Sequence, residues 1–262
     1  SWRVIAQKNL TGATRSRESL LLASGFLLGF GGFAALIVYA GEPDFEGYLN
    51  LLAPGITLLV PLAGIIIGYD TVVTERESGA AVLTLSMPHS RKALVLGNLA
   101  SRTAQFSGLV VIPTVLTGLG LAVTYPGFAV VRYFAFVGVT VGYGLVFVWV
   151  AAALSMALST ARRVIAAAFG AYVGVVLSWD TLIALVEGLL FRFRPTGPEP
   201  VEWASFATFI GPQTAVEYLF GEVIGAGVVP SVAREMTAWY ISPVIATLTL
   251  VLWASVPVSI GY

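Results

Sequence analysis

Cysteine is absent from this sequence, histidine occurs once, and charged residues are few. Without cysteine, the chain cannot build a disulfide framework, a thiolate zinc site, an iron–sulfur cluster or a cysteine nucleophile. The single histidine, His89, excludes a metal site made of several histidines. Lys+Arg and Asp+Glu number 14 each, so the basic excess that nucleic-acid-binding proteins need is missing. We therefore expect no nucleic-acid partner.

Long apolar runs dominate the sequence instead. Hydrophobic residues make up 57% of the 262 residues and charged residues 11%, whereas an average soluble domain is about 25% charged. A membrane helix needs roughly 20 consecutive apolar residues. Six segments meet this requirement: 20–40, 49–69, 106–124, 134–158, 164–186 and 241–262. They show neither the polar face of a soluble helix nor the alternation of a membrane strand. The sequence predicts an all-α membrane protein with six transmembrane helices in a single transmembrane domain over 1–262.

The distribution of basic residues predicts the orientation of these spans. Lys and Arg next to membrane spans prefer the cytoplasm. Ten of the 14 lie in three alternate segments: 1–19, 70–105 and 159–163. The other four lie in the opposite segments: 41–48, 125–133 and 187–240. We therefore expect both termini in the cytoplasm and a multi-pass protein of the cytoplasmic membrane, surrounded by membrane lipids.

Residues 1–19 precede the first span. Their apolar side chains fall near one helical face: Trp2, Ile5, Ala6 and Ala13. This pattern predicts a short helix lying in the cytoplasmic interface of the membrane; a polar leader with snorkelling arginines is the alternative. The apolar run of the first span exceeds the about 7–15 residues of a signal-peptide core, so we expect that span to be retained.

The long segment 187–240 is predicted to be external. After Gly211 and Pro212, apolar residues recur at helical spacing: Ala215, Val216, Leu219, Phe220 and Val223. This stretch is too short, and with Glu217 and Glu222 too charged, to cross the bilayer. The sequence leaves open a half-buried or re-entrant helix, a cap over the bundle, or an ordered surface helix.

The segment between spans 2 and 3 carries the most informative pattern. A charged stretch, Glu75-Arg76-Glu77-Ser78, precedes a short apolar helix over 80–85, and Pro88 ends that helix. If 90–124 is one helix, it measures roughly 52 Å, against ~30 Å of hydrocarbon. We expect the flanking helices, 49–77 and 90–124, to project into the cytoplasm and to carry a docking element for a soluble partner. Without further information, a solvated charged turn is the more usual meaning of such a charge run.

The run 75–98 resembles the stretch between spans 2 and 3 of ABC transporter permeases of the type-2 export class. That family typically has Glu-Arg-Glu, then Gly, a short apolar helix, a Pro, Ser-Arg and a Gly-Lys pair. The chain also looks like the subgroup near the permeases of nitrous-oxide-reductase maturation systems, which does not fix a substrate. Two positions depart from the pattern, because Asn98 follows Gly97 where Lys is usual and Ala80 stands where Thr is usual. Neither departure removes the resemblance.

The resemblance implies a coupling helix that sits in a groove of a cytoplasmic ABC ATPase. The coupling residues would be Glu75, Arg76, Glu77, Ser78, Gly79, Ala80, Val82, Leu83, Leu85, Pro88 and Arg91. It also implies a permease dimer with two ATPase copies and a substrate route between the two permeases. Spans 1 and 5 would lie near the dimer interface, which favours the pairs Gly25/Gly29 and Gly170/Gly174. The similar pairs Gly64/Gly68 and Gly138/Gly142 receive no such support.

The sequence lacks the motif that would bind ATP itself. A P-loop ends in Gly-Lys-Ser/Thr, but the lysines, Lys8 and Lys92, follow Gln7 and Arg91. We therefore expect ATP and Mg²⁺ in a separate partner subunit. No catalytic, cofactor-binding or metal site is expected in this chain, and it is not an enzyme by itself.

Asp180 is the one charged residue within the six predicted spans. A carboxylate in a span is a functional hypothesis by default: Asp180 would line the pathway, pair with Arg192 or Arg194, or be hydrated near the outer surface. Glu187, seven residues on, lies on the same helical side. Two other functions stay open, an ion-coupled secondary transporter that uses Asp180 and a non-transporting anchor that recruits a soluble protein through 74–92. The sequence does not indicate the substrate.

Overall fold

The computed structural model describes residues 16–41, 44–69, 71, 91–192, 201–225 and 239–261. All regular structure within these ranges is helical, which confirms the all-α class. The helices are α1 (Arg17–Leu27), α2 (Phe33–Ala40), α3 (Phe45–Gly68), α4 (Arg91–Thr124), α5 (Val130–Ala157), α6 (Ala161–Tyr172), α7 (Trp179–Leu190), α8 (Glu202–Phe209), α9 (Pro212–Ile224) and α10 (Pro243–Gly261). A π-helical turn, Leu28–Gly32, joins α1 to α2, and another, Val173–Leu177, follows α6.

Five helical segments are long and apolar enough to cross a membrane: Ser19–Ala40, Phe45–Gly68, Val95–Thr124, Val130–Ala157 and Pro243–Ile260. A sixth span results if Ala161–Leu177 and Trp179–Leu190 count as one broken span, because they bend by 69°. The fifth predicted span, 164–186, is therefore not straight. Ser178 leaves the helical conformation with φ −123° and ψ 1°. The orientation of the bundle across the membrane stays a prediction.

α5 is the central helix of the bundle and packs against α3, α4, α9 and α10. The approach of α3 to α5 is close because two glycines of α3 face the α5 backbone. A Cβ at Gly64 would lie 2.6 Å from the carbonyl oxygen of Gly144, and one at Gly68 would overlap the carbonyl oxygen of Val148. Gly64 and Gly68 are thus the small-residue pair that packs two spans together within this chain.

Tyrosine hydroxyls donate hydrogen bonds to main-chain carbonyls in the core of the helical bundle. Pro61 lacks the N–H that would bond the carbonyl of Thr57 in a regular helix, and the buried Tyr143 of α5 donates to that carbonyl at 3.2 Å. Tyr172 donates to the next carbonyl, that of Leu58, at 3.1 Å. No water is available in hydrocarbon to replace such bonds. The part of α3 around Pro61 is therefore tied to both α5 and the fifth span.

We expect Tyr143→Phe to lower the free energy of unfolding by about 1–3 kcal/mol, because the Thr57 carbonyl becomes buried without a donor. In a Pro61→Ala background the restored N–H of residue 61 can bond that carbonyl, so the loss should be much smaller. Reversible unfolding in mixed detergent micelles measures both differences. Equal losses of stability in the two backgrounds would show that the Tyr143 hydroxyl does not replace the hydrogen bond that the Thr57 carbonyl lacks because of Pro61.

Polar contacts mark the two ends of the bundle. At one end Arg132 of α5 forms an ion pair of 2.9 Å with Glu46 of α3, and its guanidinium lies beside Gly225, which ends α9. At the other end Asn98 of α4 donates to the carbonyl of Thr71 after α3. α9 therefore has its carboxyl end at the end of the bundle that the sequence predicts to be external.

Candidate functional site

Most of the predicted coupling segment lies outside the described residues. This applies to Glu75, Arg76, Glu77, Ser78, Gly79, Ala80, Val82, Leu83, Leu85 and Pro88. Arg91 is the first residue of α4. What the structure describes is the frame on either side of the segment, from the end of α3 to the start of α4.

The frame is asymmetric. α4 is one continuous helix of 34 residues, about 51 Å long, and so exceeds ~30 Å of hydrocarbon by about 20 Å. α3, in contrast, ends at Gly68, where the backbone N–H and the hydroxyl of Thr71 both donate to the Gly68 carbonyl. The expected rod over 49–77 is therefore wrong, since the side chain of Thr71 helps to end that helix. Of the two helices of the frame, as far as they are described, α4 is the one long enough to project well beyond the hydrocarbon.

A buried hydrogen bond joins the two sides of the frame. The side-chain amide of Asn98 donates to the carbonyl of Thr71 at 3.0 Å. Asn98 is 2% exposed and Thr71 4% exposed, so the bond is shielded from solvent. In the sequence, Asn98 stands out only as a departure from the family pattern. A carboxamide within an apolar stretch of helix was the signal that it needed a buried partner.

Two further residues of α4 bind other helices. Gln105 donates to the hydroxyl of Ser19 in α1 at 2.9 Å, and Trp149 of α5 donates to the hydroxyl of Thr103 at 2.9 Å. Ser101, in between, bonds within α4 to the carbonyl of Asn98 at 2.8 Å. Residues 98–105 of α4 thus form side-chain hydrogen bonds with three neighbouring segments: the residue Thr71 after α3, the helix α1 and the helix α5.

The predicted pathway carboxylate lies at the break of the fifth span. Asp180 is in the first turn of α7 and is exposed, and it forms no ion pair with Arg192 or any other described residue. Arg194 lies outside the described residues. Glu187 is half-buried two turns further along α7. The pathway roles of Asp180 and Glu187 stay predictions.

The structure adds Glu217 of α9 to this region. Gln213 donates to Glu217 Oε1 at 2.9 Å, and Asp180 is near enough to act on the Glu217 charge. Burial raises the pKa of the Glu217 carboxyl, the Gln213 bond partly offsets this, and the negative charge of Asp180 adds to the rise. In the sequence, Glu217 indicates only that its stretch is too charged to be a membrane span. Its proximity to Asp180 arises because α9 packs into the bundle, which spacing alone does not show.

Two tryptophans hold the turn between α8 and α9. Trp179, directly after the break, donates its indole N–H to the Ala207 carbonyl, and Trp253 of α10 donates to the Ile210 carbonyl, each at 2.9 Å. Their rings meet edge to face with centroids 5.7 Å apart. A Cβ at Gly211 would lie 2.5 Å from the Trp179 ring. Because Trp253 lies midway along α10, the turn packs against the middle of that helix, and the alternatives for the segment 187–240 stay predictions.

The four glycines predicted at a dimer interface face open space. No described atom outside the local backbone lies within 4 Å of the Cβ position at Gly25, Gly29, Gly170 or Gly174. Gly29 and Gly174 lie in the two π-helical turns, a conformation that is frequent at functional sites. Gly25 and Gly29 also line an apolar groove of about 330 Å³ between the first span and α3. The dimer interface itself stays a prediction.

The family model described as "ABC-2 family transporter protein" matches residues 4–262. The chain is 26% identical, over an alignment of 278 residues, to the "Probable ABC transporter permease protein NosY" of Pseudomonas aeruginosa, covering 98% of this chain and 95% of that protein. A protein of the same description from Stutzerimonas stutzeri is 31% identical over 122 residues, which cover 45% of this chain and 42% of that one. The predicted resemblance is confirmed: the chain belongs to the ABC-2 family of transporter proteins, as a multi-pass membrane subunit of the permease type.

Proposed function

We propose that this chain is the permease subunit of an ATP-driven exporter, that it works as a dimer, and that each copy docks one ATPase through residues 74–92. The observation that carries the proposal is the match of the ABC-2 family model to residues 4–262, because membership of this family implies an associated ABC ATPase in general. ATP and Mg²⁺ would bind to that ATPase. The ion-coupled alternative through Asp180 has no comparable support.

In this mechanism, ATP binding closes the two ATPases on each other and displaces the docked segment. The continuous helix α4 carries that displacement into the membrane, since its 34 residues begin directly after the segment. Access to the cavity between the two permeases then changes. Such coupling requires that the docked ATPase favour one of two arrangements of the bundle.

Open glycine faces support the dimer. Gly25 and Gly29 of the first span, and Gly170 and Gly174 of the fifth, leave room for the backbone of another helix to approach. The same four positions lie on the spans that the family resemblance places at the interface. Asp180, at the break of the fifth span, and Glu217 of α9 would lie beside the route between the copies.

We expect Glu77→Arg to abolish co-purification of the ATPase, because it reverses the charge of the docking segment. The measurement is affinity purification of the tagged chain in mild detergent, followed by identification of P-loop proteins in the eluate. Glu202→Arg is the matched control, since Glu202 is an exposed acid at the start of α8, and it should retain the ATPase. Full recovery of the ATPase with Glu77→Arg would contradict the docking assignment.

A further inference from the structure

The part of α4 nearest the docking segment is unusually rich in polar contacts to other helices. Asn98 reaches Thr71 after α3, Thr103 accepts from Trp149 of α5, and Gln105 reaches Ser19 of α1. Of these three contacts, the Asn98 bond is the one made to Thr71, the described residue that directly precedes 72–90. Together with the stretch of chain that runs from Thr71 through the docking segment to α4, this bond closes a ring, and α3 and α4 also contact each other directly.

We propose that Asn98 is a positioning residue that makes α3 and α4 respond together to a load on the docking segment. The inference rests on the proposed function. Packed helices can slide past one another by small shear movements, and apolar contacts alone resist such sliding weakly. A buried hydrogen bond has a preferred length and direction and is strengthened by the low local dielectric. Breaking the Asn98 bond would also leave the Thr71 carbonyl without this donor.

A continuous path leads from Thr71 to the central helix. The Thr71 hydroxyl donates to the Gly68 carbonyl at 2.6 Å. Gly68 in turn packs directly on Val148 and Ala151 of α5. Because a Cβ at Gly68 would already overlap the Val148 carbonyl, this contact leaves no room for relative movement towards α5. A displacement at Thr71 therefore pushes on the part of α5 around Val148 and moves α5. Arg132 lies near the amino end of α5, at the opposite end of the bundle.

Spin labelling at the far end of α5 tests the path. The sequence has no cysteine, so Val131→Cys, at a position that is 83% exposed, gives one label per chain. Pulsed electron–electron double resonance on the complete complex then measures the distance between the labels of the two permease copies. The distance is measured without nucleotide and after trapping with ATP and vanadate. We expect trapping to shift this distance in the otherwise unchanged chain, and we expect Asn98→Ala to abolish the shift.

The control is Ser101→Ala, which removes a hydrogen bond of similar burial that stays within α4. It should keep the nucleotide-dependent shift. Asn98→Gln, which keeps an amide donor, should restore at least part of the shift. Asn98→Leu gives a second donor-free side chain of similar size, in case truncation impairs folding. ATPase co-purification should be unchanged in all four variants.

The outcomes separate this inference from the proposed function. A full shift in both Asn98→Ala and Asn98→Leu would overturn the role of Asn98 and leave the proposed function intact. Loss of the shift in Ser101→Ala as well would show that the effect is general destabilisation and would also overturn the inference. Absence of any ATPase, or of any shift in the otherwise unchanged complex, would overturn the proposed function and the inference with it.

Discussion

Gly68→Leu is expected to abolish recovery of folded protein. The new side chain would begin inside the space of the Val148 carbonyl and against Ala151. Overpacking usually costs about 1–3 kcal/mol when neighbouring side chains can move aside. Here the obstacle is the backbone of the central helix, so we expect a cost above that range. Fluorescence-detected size-exclusion chromatography of the tagged chain measures the folded fraction.

Two matched glycine variants make this prediction specific. Gly142→Leu lies on α5, and no described atom outside the local backbone lies within 4 Å of its Cβ position, so this variant should elute as the unchanged protein does. Gly170→Leu should also fold, but it should shift the elution towards the monomer if the fifth span forms the dimer interface. Normal recovery of Gly68→Leu would contradict the packing of α3 on α5.

The second large effect is expected from the double variant Trp179→Phe, Trp253→Phe. Each replacement keeps an aromatic ring but leaves one carbonyl, of Ala207 or Ile210, without its indole donor. A fully buried acceptor left unsatisfied costs about 1–3 kcal/mol. Because both bonds are part-buried, we expect each loss at the lower end of that range, and the two losses need not add because the rings contact each other. We expect the turn between α8 and α9 to open locally.

Hydrogen–deuterium exchange measures that opening, with faster exchange expected over 202–224 and little change in α5. Trp203→Phe is the control, because Trp203 lies on α8 but is 38% exposed and no indole hydrogen bond of Trp203 is found within the described part of the chain. Unchanged exchange over 202–224 in the double variant would contradict the view that the two indoles hold the turn.

Hydropathy was sufficient to predict the helical class because a span must be apolar along its whole length. It could not predict the break at Ser178, since the apolar stretch continues on both sides of the break and a bend leaves composition unchanged. The continuity of α4 from Arg91 to Pro113 was predictable, because no proline occurs between these two residues. The early end of α3 was not, since it depends on how Thr71 bonds back to Gly68.

The candidate sites likewise include features that the sequence predicts and features that depend on tertiary contacts. The four glycine pairs have the same spacing, and only the packing of α3 on α5 shows that Gly64 and Gly68 are used within one chain. Glu217 and Asp180 are far apart in sequence, and only the folded structure brings the negative charge of Asp180 near enough to act on Glu217. The docking residues were predicted from a resemblance, and their roles stay predictions. Tertiary contacts therefore decided what residue type and spacing left open.

The most direct test of the central claim is the mass of the complex that this chain forms in its own membrane. The chain, tagged and extracted in a mild detergent, would be measured intact by native mass spectrometry. The account predicts two copies of the chain together with two copies of a P-loop ATPase, and dissociation of that ATPase in Glu77→Arg. An intact, folded chain that is recovered without any P-loop ATPase would contradict it.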